Sequence, residues 1–177
     1  MKNIIFLDFD GVLNCQDFYQ KLQREQALNT IGTQKDIDPW RVSLLNTLCK
    51  DTNSSIVISS SWRYSGLEYC KKALKLAGAE FEIIDSTPIL NYKEVGHTPP
   101  RGVEIKAWLD DNCYTLFGIH SHDFYRYAII DDDSDMLLNQ QYHFFRTDPY
   151  SGLTPHICDR IKTLFLKKTF FPFKIND

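Results

Sequence analysis

Ile4-Ile5-Phe6-Leu7-Asp8-Phe9-Asp10-Gly11-Val12 is the stretch from which the fold can be read. Its four leading apolar residues are too few for a helix and read as a buried strand that stops in an acidic turn. Side chains alternate between the faces of a strand, but the chain bends where a strand ends. Asp8 and Asp10 can therefore approach one point while Phe9 turns inward. Two carboxylates that close repel each other unless a cation lies between them, and a hard divalent ion, Mg2+ first, suits oxygen ligands. The competing reading is a plain surface turn, because Asp and Gly both favour turns. A calcium loop fails on spacing: it needs glycine at the sixth position, and Gly11 is the fourth counted from Asp8.

Beyond this turn, residues 13 to 37 are polar and weakly periodic and read as a small excursion, a flap. Asp38-Pro39 supplies an N-cap and a first-turn proline for a helix over about 39–50, with Trp40, Leu44, Leu45 and Leu48 on one face. Ile56-Val57-Ile58 is a second strand running into Ser59-Ser60-Ser61-Trp62-Arg63. Ser65 and Gly66 open a helix that carries Leu67, Cys70, Leu74 and Ala77 and closes at Gly78. Residues 81–84 are a third strand, 85–100 a proline-rich loop, and Arg101-Gly102 the start of a helix with Ile105, Trp108 and Leu109 inward. Residues 113–125 read as an irregular connection or hairpin. Tyr127-Ala128-Ile129-Ile130 is a fourth strand that again runs into acid, at Asp131, Asp132, Asp133 and Asp135. A calcium loop fails here too, with Met136 and Tyr142 at the sixth and twelfth positions. A fifth strand over 142–146 and a helix opening at Thr154-Pro155 complete the pattern.

Strands alternating with helices predict an α/β fold, a central, mostly parallel five-stranded sheet in a three-layer sandwich. In such sheets ligands bind at the carboxyl ends of the strands where strand order reverses, and every polar cluster above lies at a carboxyl end. Carboxylates around a divalent ion, with hydroxyl and cationic donors facing it, are what phosphoryl transfer requires.

Composition is consistent with this. A length of 177 residues predicts a single domain, 1–177. With 43% apolar and 24% charged residues the chain reads as soluble and globular rather than disordered. No apolar run approaches the roughly 18 residues of a membrane span, and Met1-Lys2-Asn3 leads into a strand rather than a signal sequence. The expectation is a cytoplasmic protein, or one exported by a route that leaves no hydrophobic mark. Five scattered cysteines argue against a disulfide framework or a zinc site. A net charge of −3 gives no global pull toward nucleic acid, which leaves room only for a local basic patch.

Asp8-Phe9-Asp10-Gly11-Val12, the strand-end Ser59, Arg101-Gly102 opening a helix, and Ile130-Asp131-Asp132, in that order, resemble the motifs of the haloacid dehalogenase (HAD) superfamily of phosphatases and phosphotransferases. The resemblance spans nearly the whole chain and implies a Rossmann-like domain with a minimal cap. It implies Asp8 as nucleophile and Asp10 as general acid and base. Mg2+ would be held by Asp8, the Asp10 backbone carbonyl and Asp131, with Asp132 the first choice for the outer shell over Asp133 and Asp135. Phosphate would be held by Ser59, or by Ser60 if the strand runs one residue longer, and by Arg101 where the superfamily commonly has lysine. Lys93 and Lys106 fit that position less well. Arg63, beside the serines, is a candidate substrate contact. His120 and His122 read as loop residues, and Lys71, Lys72 and Lys75 as a solvated helix face.

The same residues, with Gly152-Leu153-Thr154, look like the small HAD domains associated with RNA repair proteins. That implies a phosphorylated macromolecular partner, a nucleic-acid end, although related capless members act on phosphoproteins. The windows where this superfamily inserts a sealing cap, 13–37 and 85–100, are too short for a core of their own, since independently folding domains need more than about 40 residues. Three functions are compatible with these residues: a phosphomonoester hydrolase, a phosphotransferase or phosphomutase using the same aspartate, and a non-catalytic phosphate-binding module.

Overall fold

A computed structural model describes residues 2–24, 36–90, 99–121, 124 and 126–166. Five strands, β1 (Asn3–Leu7), β2 (Ser54–Ile58), β3 (Ile83–Ser86), β4 (Tyr127–Asp131) and β5 (Phe144–Arg146), form one sheet in the order β3-β2-β1-β4-β5. Every pairing is parallel. The helices are α1 (Gln16–Arg24), α2 (Pro39–Thr52), α3 (Leu67–Leu76), α4 (Arg101–Phe117) and α5 (Pro155–Leu166). The chain builds outward from β1 through β2 to β3, then crosses to the other side of β1 for β4 and β5. The order therefore reverses between β1 and β4.

The alternation of strand side chains sorts the core into two layers. Ile5, Leu7, Ile56, Ile58, Ala128 and Ile130 pack with Leu45 and Leu48 of α2, Leu74 of α3 and Ile161 of α5. Ile4, Phe6, Val57 and Ile129 meet Ile105, Trp108 and Cys113 of α4 on the opposite face. The register pairs Leu7 with both Ile58 and Ile130, so β1, β2 and β4 end within one residue of each other and present their succeeding loops at one edge.

Four expectations are corrected. The 13–37 excursion contains α1, whose Phe18 and Leu22, four apart, pack with Cys15 and Tyr19 in a small separate cluster. Its span 25–35 lies outside the described residues, as does 91–98 of the predicted loop. Residues 113–117 are not irregular: Ile105, Leu109, Cys113 and Phe117 keep four-residue spacing against the sheet, so α4 continues until Gly118 ends it in the left-handed region at φ 66°. The third strand lies two residues later than 81–84. Asp85 is tolerated there because its carboxylate accepts the Trp108 indole N–H at 2.7 Å. The fifth strand is only Phe144–Arg146, because 138–143 coil into a 3-10 turn that buries His143 with its Nδ1 2.9 Å from the Tyr127 carbonyl oxygen.

Candidate active site

β1 ends at Leu7, and the Asp8 N–H donates to the Ile130 carbonyl oxygen at 3.0 Å, which fixes Asp8 beside the end of β4. Asp131, the last residue of β4, and Asp132 just beyond complete a group with Asp8: their carboxylates offer oxygens within 4.8 Å of one another. Asp8 and Asp131 are buried. Burial pushes Asp8 up to about 6 despite hydrogen bonding from the Ser60 hydroxyl. Burial, and then the charge of Asp8, push Asp131 to about 8; burial also raises Asp132. Carboxylates this crowded hold protons that a cation would displace.

Glycine makes the convergence sterically feasible. Gly11 has φ +67°, and a Cβ there would overlap the Asp132 carboxylate. The loop after β5 locks this turn: the Thr147 N–H donates to the Asp131 carbonyl oxygen at 3.0 Å and its hydroxyl to the Gly11 carbonyl oxygen at 2.9 Å.

Asp10 lies apart. Its exposed carboxylate is not in the three-acid group and accepts from Asn14 Nδ2 at 2.9 Å, from the Trp62 indole N–H at 3.2 Å to each oxygen, and from Ser61 Oγ at 3.5 Å. Neither Asn14 nor Trp62 stands out in the sequence. Their only linear signal is nearness to Asp10 and to the serine run, and the Trp62 contact depends on β2 lying next to β1.

The serines divide. Ser60 hydrogen-bonds Asp8 and also accepts the Trp62 N–H at 3.3 Å, capping the 3-10 turn Ser61–Ser65. Ser59 is buried, and its hydroxyl has no hydrogen-bond partner among the described residues. Arg63, a candidate substrate contact in the sequence, lies inside the fold. Fully buried, it donates to the Ser60 carbonyl oxygen at 2.7 Å and the Thr87 carbonyl oxygen at 3.2 Å, and pairs with Glu104. Arg101, at the first turn of α4, shares Glu104 at 3.0 Å but reaches toward the acids, with Nε 3.9 Å from Asp131 Oδ2. The buried, doubly paired Glu104 gave no sign in the sequence beyond its helical position.

The acidic run also separates by role. Asp133 accepts the N–H of Ser134, while its own N–H donates to Asp131 Oδ1 at 2.9 Å. Asp135 accepts the Arg101 N–H at 2.7 Å and so caps α4. Gln140 ties the same loop to α4 by donating to the Gly102 carbonyl oxygen at 2.8 Å.

A parallel sheet of this order, with acids meeting at its switch point, defines a HAD Rossmann-like domain. Residues 4–157 match the family described as the HAD domain in Swiss Army Knife RNA repair proteins, and the chain belongs to that family. No curated protein and no solved structure matches the chain. Among the described residues no helix is long and apolar enough to cross a membrane.

Proposed function

We propose that the protein is a Mg2+-dependent phosphomonoester hydrolase that acts through an aspartyl phosphate on Asp8, with a terminal phosphate of a nucleic acid as substrate. The observation that carries this reading is the division of labour at the end of β1. Asp8 is buried with Asp131 and Asp132, while Asp10 stands outside at the solvent side.

The donor set fits a hard dication: three carboxylates converge, and all three have raised proton affinity that a cation would reverse. Asp8, Asp131 and the Asp10 backbone carbonyl would hold Mg2+, with Asp132 at its side. Bound there, Mg2+ supplies charge neutralisation between nucleophile and phosphoryl group. In the reaction the Asp8 carboxylate bonds to phosphorus as the ester P–O bond breaks, and Asp10 gives its proton to the departing oxygen. Asp10 then takes a proton from the water that attacks phosphorus, which frees phosphate and Asp8. Ser60, Ser59 and Arg101 hold the phosphoryl oxygens, Arg101 with a planar fork suited to them.

The family's association with RNA repair favours a nucleic-acid end over a phosphoprotein. The windows 13–37 and 85–100 are too short for a separately folded cap, which favours so large a substrate. A non-catalytic module has no need of both Asp8 and Asp10. A phosphotransferase would use the same residues but pass the phosphoryl group to an alcohol.

The test is phosphate release, with and without Mg2+, from oligonucleotides with terminal phosphates, phosphopeptides, sugar phosphates and free nucleotides, repeated with added acceptor alcohols. The expected result is Mg2+-dependent release with the highest kcat/KM on an oligonucleotide. A clear preference for one small metabolite overturns the substrate assignment, and transfer to the alcohols in place of release overturns the hydrolase assignment.

A further inference from the structure

A pocket of about 290 Å3 opens beside Asp10, lined by Asp10, Asp36, Ser61, Trp62, Ser65 and Tyr69. Its aromatic wall is held in place. Trp62 packs edge-on to the buried Phe9, with ring centroids 5.3 Å apart at 69°, and its indole N–H is held by Asp10. Tyr69 lies next to it, centroids 6.2 Å apart at 53°. Ser61 and Ser65 are exposed, whereas the buried Asp36 accepts the Tyr19 hydroxyl at 3.3 Å.

A general acid must touch the oxygen that departs. Asp10 forms part of this pocket's wall, so a leaving group that takes its proton from Asp10 lies against this lining. Among the described residues the lining combines two rings, two exposed hydroxyl side chains and two carboxylates, with no lysine or arginine. Carboxylates repel a second phosphate beside the one being removed, hydroxyls and carboxylates suit sugar hydroxyls, and a pre-set ring pair suits a flat base.

Resting on the phosphatase reading above, we propose that this pocket takes the terminal nucleoside of a phosphate-ended strand, with its base against Trp62 and Tyr69 and its sugar toward Ser61, Ser65 and Asp36. The bond that breaks joins phosphorus to that nucleoside's oxygen. The proton from Asp10 goes to the same oxygen, and the strand leaves with a terminal hydroxyl.

The test compares oligonucleotides carrying one phosphate at the 3′ or the 5′ end, each with a base or an abasic sugar at that end, with a phosphotyrosyl peptide alongside. Turnover is measured with the wild-type protein, Tyr69→Ala and Tyr69→Phe in Mg2+. Binding of the same strands is measured on Asp8→Asn, alone and combined with Tyr69→Ala. At one end or both, the wild type is expected to prefer the base-bearing strand about tenfold, the scale of one base stacked on an aromatic side chain. Tyr69→Ala brings that ratio close to one, Tyr69→Phe restores it, and binding shows the same pattern. Equal turnover of base-bearing and abasic ends overturns the pocket assignment and leaves the phosphatase reading intact. Base-dependent binding without any turnover does the reverse. A ratio indifferent to Tyr69, or a peptide hydrolysed faster than every base-bearing strand, also overturns the assignment.

Discussion

Asp8 and Asp10 are two residues apart and carry the same group, yet their surroundings are opposite. Asp8 closes a strand in the middle of the sheet, is buried, and faces Asp131 and Asp132. Asp10 lies past the bend, exposed, held by Asn14 and Trp62. The difference shows how a parallel sheet separates chemistry: the strand end supplies the crowded, desolvated position where charge is costly, and the turn supplies the accessible one. A nucleophile that needs a cation and an acid that needs to meet the leaving oxygen require those two environments respectively.

The largest expected effect breaks the comparison at its buried member. Asp8→Asn is expected to lower kcat by about 10^4-fold or more, the scale for losing a covalent nucleophile. Its melting temperature without metal should not fall, because the substitution removes a buried like charge; calorimetry beside the kinetics checks both. Asp10→Asn is expected to cost about 10^3-fold on alkyl phosphates, within the range for general acid catalysis. On activated aryl phosphates, whose leaving groups need no proton, the loss is much smaller. Steady-state kinetics on the two ester classes decides this, and equal losses remove the acid role.

Arg63 and Arg101 repeat the contrast on a smaller scale, since both pair with Glu104 but only Arg101 reaches the acids. Arg63→Ala is expected to cost about 3 kcal/mol of stability in a denaturant titration, because it leaves the buried Glu104 under-compensated. Arg101→Ala should instead reduce turnover while stability changes little.

Mg2+ at a hundredfold excess over its Kd is expected to raise stability by about 2.7 kcal/mol, and thermal melts of Asp8→Ala should show that gain lost while Asp10→Asn retains it. Without metal, stability is also expected to depend on pH. In the metal-free protein Asp8 and Asp131 have folded pKa values of about 6 and about 8, above the ordinary carboxylate value of about 4. The folded state then binds more protons than the unfolded chain, so stability is fullest below about pH 4 and is lost as pH rises through 6 to 8. Melts from pH 4 to 8 should fall without Mg2+ and flatten with it.

What was legible in the sequence was whatever a strand end displays locally. β1 and β4 announce themselves as short apolar runs that stop in acid, and the helix opening at Arg101 places a cation next to them. Less legible was what arises between elements. Asp135 caps a helix 34 residues earlier, and Trp62 meets Asp10 from 52 residues away. Glu104 joins two arginines that the sequence does not connect. The extension of α4 through Phe117 was readable in principle from its four-residue spacing, but the aromatic and branched residues around it mask the helix signal.

The most direct test of the account is to trap the acyl phosphate. Asp10→Asn protein turning over an aryl phosphate in Mg2+ would be quenched and reduced with borohydride, which converts an aspartyl phosphate to homoserine, and the chain mapped by peptide mass spectrometry. The account predicts homoserine at position 8. Homoserine at another aspartate, or none while phosphate is being released, would contradict it.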